Sequence, residues 1–447
     1  MTGEQCKGHP IAVDDLVPLG EHPGRAMDGC QLPAGVSFVE GGGVTSALGF
    51  KAAGVHAGFR KNPERFDMAL VVADQPCACA GTFTQNVFCA APVTVSREHL
   101  DGVSYGIARA VVVNSGIANA ATGSRGLETA HEMARITADA VGCTEDEVMV
   151  ASTGVIGQHL PLDPFKTGVP AALAVLSRDG GNDAARAIMT TDTHPKEAAV
   201  AFTVDDPAYE GIVFTVGGMA KGSGMIMPNM ATMISVLSTD APLTADVLHG
   251  ALVAAVGKSF NKVTVDSDTS TNDSCFLLAS GAAAPGAPSF APGSAAYAAF
   301  EGALQAVCIN LARQMAEDGE GATRLVTVNV TGAANAEDAD RAARTVANSP
   351  LVKTAITGHD ANWGRIAGAI GRSGATFRQQ DAAIDIMGLP VCRGGLTVPF
   401  DEDEALRRFE QPEIVIDIDL GAGDAATTMW TCDFSHEYIT INGDYRT

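Results

Sequence analysis

The sequence predicts a mixed α/β protein with two domains, on three observations. The chain has 447 residues, which is long for a single hydrophobic core. Short apolar runs rich in β-branched residues, at 68–72 and 110–113, are typical of buried strands. Segments with helical periodicity, such as 128–141, alternate with such strands in both halves of the chain. That alternation indicates a mixed α/β fold rather than an all-helical or all-strand one.

The remaining elements follow from the same patterns. Helices are predicted over 170–177, 245–256 and 299–317, and strands over 325–330 and 414–420. Residues 280–298 are rich in Ala, Gly, Pro and Ser, which predicts a surface loop.

Composition and charge restrict the function classes. The formal net charge of −23 argues against nucleic acid and anionic membrane surfaces as partners, because both attract basic patches. No run reaches the roughly 18 apolar residues of a transmembrane helix. Residues 1–30 show no apolar signal core, so we expect a cytoplasmic protein. The ten cysteines are scattered, and Cys77 and Cys79 are spaced too tightly for a zinc knuckle, so buried free thiols are expected.

An Ala-Thr bond, between Ala231 and Thr232, ends the glycine-rich segment that begins at Lys221. Cleavage of this bond would turn the threonine into a self-sufficient nucleophile, because its freed α-amine can take the proton of its own hydroxyl. The reference pKa of an α-amine is about 7.7–8.0, so much of it is an unprotonated base near neutral pH. The local sequence alone favours the other interpretation, in which Thr232 is the first polar residue of a buried strand.

A second candidate is the pair Thr153 and Gly154, which ends the apolar run 148–152. A strand that ends in Thr-Gly can present a hydroxyl and an unhindered backbone N–H together. Two such donors stabilise the negative charge that develops on the oxygen of an attacked acyl group, each by about 3–4 kcal/mol in known oxyanion holes. The alternative is an ordinary strand-to-turn glycine.

Ten segments, in this order, closely resemble one family, the bifunctional ornithine acetyltransferase and glutamate N-acetyltransferase of arginine biosynthesis. The resemblance runs from about Gly49 to Thr447. The segments are Gly49-Phe-Lys-Ala-Ala-Gly-Val-His56, Phe88-Cys-Ala-Ala-Pro92, Asn114-Ser-Gly-Ile-Ala-Asn119, Ser152-Thr-Gly-Val-Ile-Gly157, Met189-Thr-Thr-Asp-Thr193, Gly217-Gly-Met-Ala-Lys-Gly222, Val265-Asp-Ser-Asp-Thr-Ser-Thr-Asn-Asp-Ser274, Asp318-Gly-Glu-Gly-Ala-Thr323, Asp360-Ala-Asn-Trp-Gly-Arg365 and Asn442-Gly-Asp-Tyr-Arg-Thr447.

The resemblance implies a fold and an organisation. The fold would be the two-domain sandwich of the self-processing ornithine acetyltransferase and aminopeptidase superfamily. Self-cleavage would give an α chain, 36–231, and a β chain, 232–447, which need not be folding domains and would assemble into a heterotetramer. Residues 1–35 would be an extension.

The resemblance also implies site residues. Thr232 would be the nucleophile, and Thr153 and Gly154 the oxyanion hole. The substrate-binding residues would be Thr190, Lys221, Thr232, Glu320, Asn442 and Thr447. A lysine suits an α-carboxylate, and a glutamate suits the ammonium group of ornithine.

The implied reaction is a ping-pong transfer of acetyl from N2-acetyl-L-ornithine to L-glutamate through an acetyl-threonine intermediate. Whether acetyl-CoA also serves as donor stays open. No cofactor or metal is expected. The segment 266–277 resembles a calcium loop but lacks its glycine and its final glutamate, so it predicts a hydrogen-bonded core turn beside the site. His131-Glu132 lacks the second histidine of a zinc-protease helix.

Two rival hypotheses remain from the sequence. The first is a self-processing aminopeptidase or amidase of the same superfamily, in which water replaces glutamate as acceptor. The second is a binding protein that has lost turnover, which the joint presence of the site residues opposes. The choice of acceptor separates the two enzymes, and self-cleavage separates both from the binding protein.

Overall fold

The computed structural model describes residues 22–25, 32–227 and 233–444, which form two compact units. The larger unit contains, of these, 32–227, 233–261 and 268–311. The smaller unit contains 22–25, Lys262–Ser267 and 312–444. The larger unit therefore takes residues from both sides of the Ala231–Thr232 bond.

One nine-stranded sheet, counted over the described residues, organises the larger unit. Its strands are β1 Val36–Phe38, β2 Phe50–Val55, β3 Met68–Phe83, β4 Tyr105–Ile117, β5 Val148–Val155, β6 Lys196–Thr203, β7 Val213–Lys221, β8 Ile234–Thr239 and β9 Ser274–Ala279. Their order is β1-β6-β7-β8-β9-β3-β4-β5, and β2 also pairs with β3. Most neighbours are antiparallel, but β4 with β5 and β8 with β9 are parallel.

Helices cover both faces of this sheet. They are α1 Ala91–His99, α2 Gly123–Val141, α3 Asp163–Val175, α4 Gly181–Ile188, α5 Ala245–Lys258 and the first part of α6 Ala295–Glu317. Successive side chains of β3 alternate between the faces. Leu70 packs in the core that contains Ala134 of α2 and Phe165 of α3, whereas Val71 packs in the core that contains Ala185 of α4.

The smaller unit is built on a six-stranded sheet in the order β13-β12-β11-β14-β10-β15, again over the described residues. The strands are β10 Leu325–Ala333, β11 Ala383–Ile386, β12 Leu389–Arg393, β13 Leu396–Thr397, β14 Glu413–Asp419 and β15 Ala425–Cys432. The helices are α7 Ala336–Ala347, α8 Pro350–Thr357, α9 Trp363–Gly371, α10 Glu402–Arg408 and α11 His436–Asp444. Alternate residues of β14, namely Ile414, Ile416 and Ile418, pack in its core.

The predicted mixed α/β class is confirmed, and most predicted elements coincide with observed ones. The helix predicted over 170–177 is wrong in its bounds, since α3 occupies Asp163–Val175 with Pro170 inside it. The predicted surface loop 280–298 is wrong in part. Its last residues begin α6, and Phe290 is buried with its ring centroid 5.0 Å from that of Tyr209 and 5.2 Å from that of Phe214. Of the eight described cysteines, six are buried and all are free.

One helix in the described part of the chain, α6, is long and apolar enough to cross a membrane. A helix is predicted there, over 299–317, but the sequence pattern predicts no membrane-spanning run. Phe300, Leu304 and Leu311 of this helix are fully buried, so it has the character of a core helix.

Candidate active site

Thr153 and Gly154 lie at the end of β5, where the backbone approaches β4 closely. Thr153 pairs with Ser115 and Gly154 with Gly116 in the parallel ladder. Gly154 has a φ of +127°, and a Cβ there would lie 2.2 Å from the carbonyl carbon of Gly116. Because no side chain fits this contact, only glycine allows the strand to end in this conformation.

A buried amide, that of Asn272, fixes the backbone just before Thr153. Its Nδ2 donates to the carbonyl oxygens of Ser152 at 2.8 Å and of Ala118 at 2.6 Å. Its Oδ1 accepts from the Thr271 hydroxyl at 2.6 Å. The Ser152 hydroxyl in turn donates to Asn114 Oδ1 at 2.5 Å. This network holds the end of β5 against the segment that precedes β9.

The segment that resembles a calcium loop is the hydrogen-bonded turn that the sequence predicts. The Thr84 hydroxyl donates to the carbonyl of Ser270 at 2.8 Å, and the Thr269 hydroxyl donates to the carbonyl of Met227 at 3.2 Å. Within the segment itself, the Thr271 hydroxyl donates to Asn272 Oδ1 at 2.6 Å and the Ser274 hydroxyl donates to the carbonyl of Asn272 at 3.2 Å. These bonds confirm the predicted hydrogen-bonded turn, in which residues 271–277 are buried.

A second buried group, the Asp192 carboxylate, brings together two of the predicted substrate-binding residues. Its Oδ2 accepts from the Thr190 N–H at 2.9 Å and lies 4.0 Å from Lys221 Nζ. Its Oδ1 accepts from the Gly222 N–H and from Lys196 Nζ, both at 2.7 Å. The side chains of Asp192 and Lys196 are fully buried. No role was predicted for Asp192, although it lies in the family-like segment Met189–Thr193.

The two carboxyl groups near Lys221, those of Asp192 and Asp273, have pKa values shifted in opposite directions. Burial by itself would raise the pKa of Asp192, but the cations of Lys196 and Lys221 hold that pKa well below its usual range, so Asp192 is ionised. Burial raises the pKa of Asp273 well above its ordinary value, against the weaker opposing effects of Ser270 and Lys221. Burial therefore disfavours the charged form of Asp273, whereas the two lysines favour the charged form of Asp192.

Thr153 and Lys221 line the same small pocket. The full lining is Thr153, Lys221, Gly224, Met225, Ile226, Met233, Ile234, Ser270, Asn272 and Asp273. Lys221 ends β7 and pairs with Ile234, which begins β8. The predicted residues Ala231, Thr232 and Thr447 lie outside the described residues.

Two arginines hold the segment around Thr190. Arg60 donates from Nη2 to the carbonyl of Met189 at 2.7 Å, and from Nε to the Ser115 hydroxyl at 3.3 Å. Arg65 donates from Nη2 to the carbonyl of Thr190 at 2.7 Å. Sequence reasoning missed both arginines, because their partners are backbone carbonyls more than a hundred residues away.

Two further predicted residues, Glu320 and Asn442, meet in the smaller unit. Asn442 Nδ2 donates to Glu320 Oε2 at 2.7 Å, although they are 122 positions apart. Glu320 is 7% exposed. The next residue, Gly321, has a φ of +69°, and a Cβ there would lie 2.4 Å from the backbone nitrogen of Tyr438. Glycine is thus required for α11 to approach the Glu320 segment.

A buried carboxylate also organises this second cluster. Asp433 accepts from the N–H and the hydroxyl of Thr323, both at 2.7 Å, and from the N–H of Arg324 at 3.0 Å. The Thr357 hydroxyl donates to it at 2.9 Å. Asp433 therefore anchors the Asp318–Thr323 segment from a position that sequence reasoning did not select.

Comparisons with known proteins give one family. A model described as the ArgJ family matches residues 51–447. The chain is 49% identical over 407 residues to the arginine biosynthesis bifunctional protein ArgJ of Symbiobacterium thermophilum, covering 91% of this chain and 99% of that protein. It is 45% identical over 417 residues to the ArgJ of Dehalococcoides mccartyi, covering 93% and 100%. A solved ornithine acetyltransferase from Mycobacterium tuberculosis, complexed with ornithine, is 39% identical and covers 44% of this chain and 99% of that chain, with a TM-score of 0.39.

The Asp192→Asn substitution tests whether the buried carboxylate holds this cluster together. It removes the negative charge and leaves Lys196 and Lys221 buried without it. Breaking a buried pair in this way costs about 3–5 kcal/mol, and we expect a loss of that size in the free energy of unfolding at pH 7, measured by chemical denaturation. Asp163→Asn, which removes an exposed ion pair with Lys166, is the control and should cost less than about 1 kcal/mol.

Wild type and Asp192→Asn should differ less in free energy of unfolding at low pH than at neutral pH. The folded-state pKa of Asp192 lies below its unfolded value of about 3.9, so its contribution to stability is complete above that value and is lost as the pH falls toward the folded pKa. The difference between wild type and Asp192→Asn should therefore be smaller at about pH 3 than at pH 7. An equal difference at the two pH values would contradict the assignment.

Proposed function

The chain belongs to the ArgJ family, and we propose that it transfers an acetyl group from N2-acetyl-L-ornithine to L-glutamate. Family membership makes it an acyltransferase of arginine biosynthesis. The observation that carries the proposal is the pocket that Thr153, Lys221 and Met233 line together. Met233 directly follows Thr232 in the sequence, so the expected nucleophile is covalently joined to a residue of this pocket.

The first step of the proposal is self-cleavage. The Thr232 hydroxyl attacks the Ala231 carbonyl carbon, the peptide C–N bond breaks, and the carbonyl carbon becomes an ester of Thr232. Water then hydrolyses the ester, which leaves a carboxylate on Ala231 and a free α-amine on Thr232. That amine is the general base that a side-chain nucleophile otherwise borrows from a neighbouring residue.

The second step is the acetyl transfer. The Thr232 hydroxyl gives its proton to its own amine and attacks the acetyl carbon of N-acetylornithine. The C–N bond breaks, and the ornithine amine leaves with the proton. The α-amine of glutamate then attacks the acetyl-threonine ester, giving N-acetylglutamate and restoring the hydroxyl. In each half-reaction the acyl oxygen becomes negative, and the Thr153 hydroxyl with the Gly154 N–H would stabilise it.

Both substrates carry an α-carboxylate, and the pocket charge suits it. Lys221 lines the pocket, and burial raises the pKa of Asp273 beside it. The ammonium group of Lys221, a residue that is 8% exposed, would attract a carboxylate into a largely water-excluded pocket. Asp192 would keep Lys221 and Thr190 in fixed positions and so reduce the ordering cost of binding.

The other proposed roles rest on the resemblance. Glu320 and Asn442 form one hydrogen-bonded pair, as two residues that bind the same ligand would require. Thr447 would complete the substrate-binding set. We also propose a heterotetramer of two α and two β chains, located in the cytoplasm.

Cleavage is tested first. The purified protein should separate on a denaturing gel into chains of 231 and 216 residues, the shorter beginning Thr-Met-Ile-Ser. Thr232→Ala should stay a single inactive chain, because it lacks the attacking hydroxyl. Thr244→Ala, a change at an exposed threonine nearby, should be cleaved normally. An active wild-type protein of 447 residues in one chain would end the proposed mechanism.

The oxyanion hole is tested through Thr153. Thr153→Ala should lower kcat by roughly 10²–10³ with little change in KM, because the lost donor acts mainly on the transition state. Thr153→Ser keeps a hydroxyl and should retain most activity. A Thr153→Ala rate within about twofold of wild type would remove Thr153 from the site.

The transfer itself is tested by mass spectrometry. N-acetylornithine alone should produce a 232–447 chain heavier by one acetyl group, and glutamate should then remove that group. Initial rates should give parallel lines in double-reciprocal plots, since one threonine serves both half-reactions. Loss of the acetyl group at the same rate without glutamate would favour the amidase alternative. If only acetyl-CoA loads the threonine, the proposed donor is wrong.

A further inference from the structure

Two histidines and a glutamate converge in the larger unit at the start of β5. His99 is the last residue of α1, His131 lies in α2, and Glu145 begins the 3₁₀ turn Glu145–Glu147 that precedes β5. One potential ligand atom from each lies within 4.8 Å of the others. The His131-Glu132 motif lacks a second histidine in the same helix. In the fold, His99 of α1 places a second histidine beside His131.

His99 offers a nitrogen in a fixed orientation. Its Nδ1 lies 2.8 Å from the carbonyl oxygen of Val148, which assigns the ring proton to Nδ1 and the lone pair to Nε2. His99 is 8% exposed, and its Nε2 has no hydrogen-bond partner among the residues that the structure describes. That nitrogen lies 3.9 Å from Glu145 Oε1, so an unsatisfied acceptor is buried beside a carboxylate. An unsatisfied buried polar group of this kind calls for an explanation, and an ion is one.

The second histidine has a matching arrangement. His131 Nε2 lies 3.4 Å from Glu98 Oε2, and its Nδ1 lies 2.9 Å from Glu145 Oε1. The Nδ1–H of His131 donates to Glu145 Oε1, and zinc would replace this proton, which would move to Nε2 beside Glu98. Histidines that bind metals commonly donate their other N–H to a carboxylate or a backbone carbonyl. Here Nε2 of His131 faces the carboxylate of Glu98, and Nδ1 of His99 faces the carbonyl of Val148.

The two carboxylate oxygens of Glu145 face different partners. Its Oε2 lies 3.5 Å from Arg135 Nε, whereas Oε1 faces both histidines. Arg135 also pairs with Glu132, which offsets part of its charge. The side chain of Glu145 is 28% exposed and that of His131 is 37% exposed, so an ion can reach the cluster from solvent.

We propose that His99, His131 and Glu145 form a zinc-binding site, with ligand atoms His99 Nε2, His131 Nδ1 and Glu145 Oε1 and with water as the fourth ligand. Tetrahedral zinc binds nitrogen and oxygen at about 2.0–2.2 Å, which separates ligand atoms by roughly 3.3–3.5 Å. The separations from Glu145 Oε1 are 2.9 and 3.9 Å, on either side of that range, and all three ligand atoms lie within 4.8 Å of one another, so modest side-chain movements would bring them to zinc-binding distances. Zinc would also satisfy the buried Nε2.

The zinc site would act as a structural clip that stabilises the fold, and it would take no part in the reaction. It would join α1, α2 and the beginning of β5. Val148, which accepts from His99, is five residues before Thr153, or about 17 Å along an extended strand. The acetyl transfer proposed above uses no metal, so zinc should raise thermal stability and leave kcat unchanged.

The test uses untagged, full-length protein that has been treated with a chelator and then titrated with Zn²⁺ by calorimetry. Wild type should bind one zinc ion per chain pair and gain in Tm. His131→Asn and Glu145→Gln should each weaken binding about 100-fold or more. Glu98→Gln, which removes the carboxylate behind His131, should weaken it by roughly 10–100-fold. His159→Asn, a change at an exposed histidine outside the cluster, is the matched control and should bind as wild type does.

The outcomes separate clearly. Wild type that binds no zinc, or equal zinc affinity in His131→Asn and His159→Asn, would overturn the proposal. Circular dichroism of the metal-free variants checks that each is folded. If Glu145→Gln does not fold, the partly exposed His131 still provides the test. Loss of kcat on zinc addition in both wild type and His131→Asn would indicate binding elsewhere and would also count against the clip.

Discussion

The candidate site depends on one buried carboxylate, that of Asp192. It accepts hydrogen bonds from Lys196 Nζ and from the N–H groups of Thr190 and Gly222, and it lies 4.0 Å from Lys221 Nζ. A buried anion is tolerated only when cations and hydrogen-bond donors replace its hydration. These partners come from the segment before β6, the start of β6 and the end of β7. Satisfying one charge therefore fixes the three segments relative to each other and gives Lys221 a defined position.

Close backbone contact is the second constraint, and it acts near the end of β5, where Thr153 lines the pocket. Gly154 can follow Thr153 in this conformation only because Gly154 has no side chain, since a Cβ there would meet the backbone of Gly116. Asn272 then binds the carbonyl of Ser152 with the same amide nitrogen that binds the carbonyl of Ala118. A donor intended for a developing oxyanion must already be oriented, because reorientation during the reaction would cost the energy that it supplies. For the oxyanion hole proposed at Thr153 and Gly154, buried amide and glycine contacts would provide that orientation without a charged group.

Local patterns were enough for the elements and for some of the site. The β-branched runs and the helical periodicity identified β3, β4, α2 and α5, because burial of one face imposes a period on the sequence. Thr153 was predicted as a candidate from a strand that ends in Thr-Gly, and it lies near the end of β5. Asp192, Asn272 and the pair His99–His131 were not predicted, because their importance arises from partners that only the folded chain brings near. Phe290 was misjudged for the same reason, since its alanine- and proline-rich surroundings say nothing of Tyr209 and Phe214.

The sheet also explains how a cleaved chain would remain assembled. β7 and β8, on either side of the Ala231–Thr232 bond, pair from Val216 with Thr239 through Lys221 with Ile234. Downstream, β9 pairs with β3, from the part of the chain before the bond, and Met219, Val236 and Phe276 pack in one core. Separation of the two products would break two hydrogen-bonded ladders and expose that core, so these contacts would hold the products together after the peptide bond is cut. The fold thus permits its own cleavage, because the larger unit is held together by strand pairing and not by chain continuity.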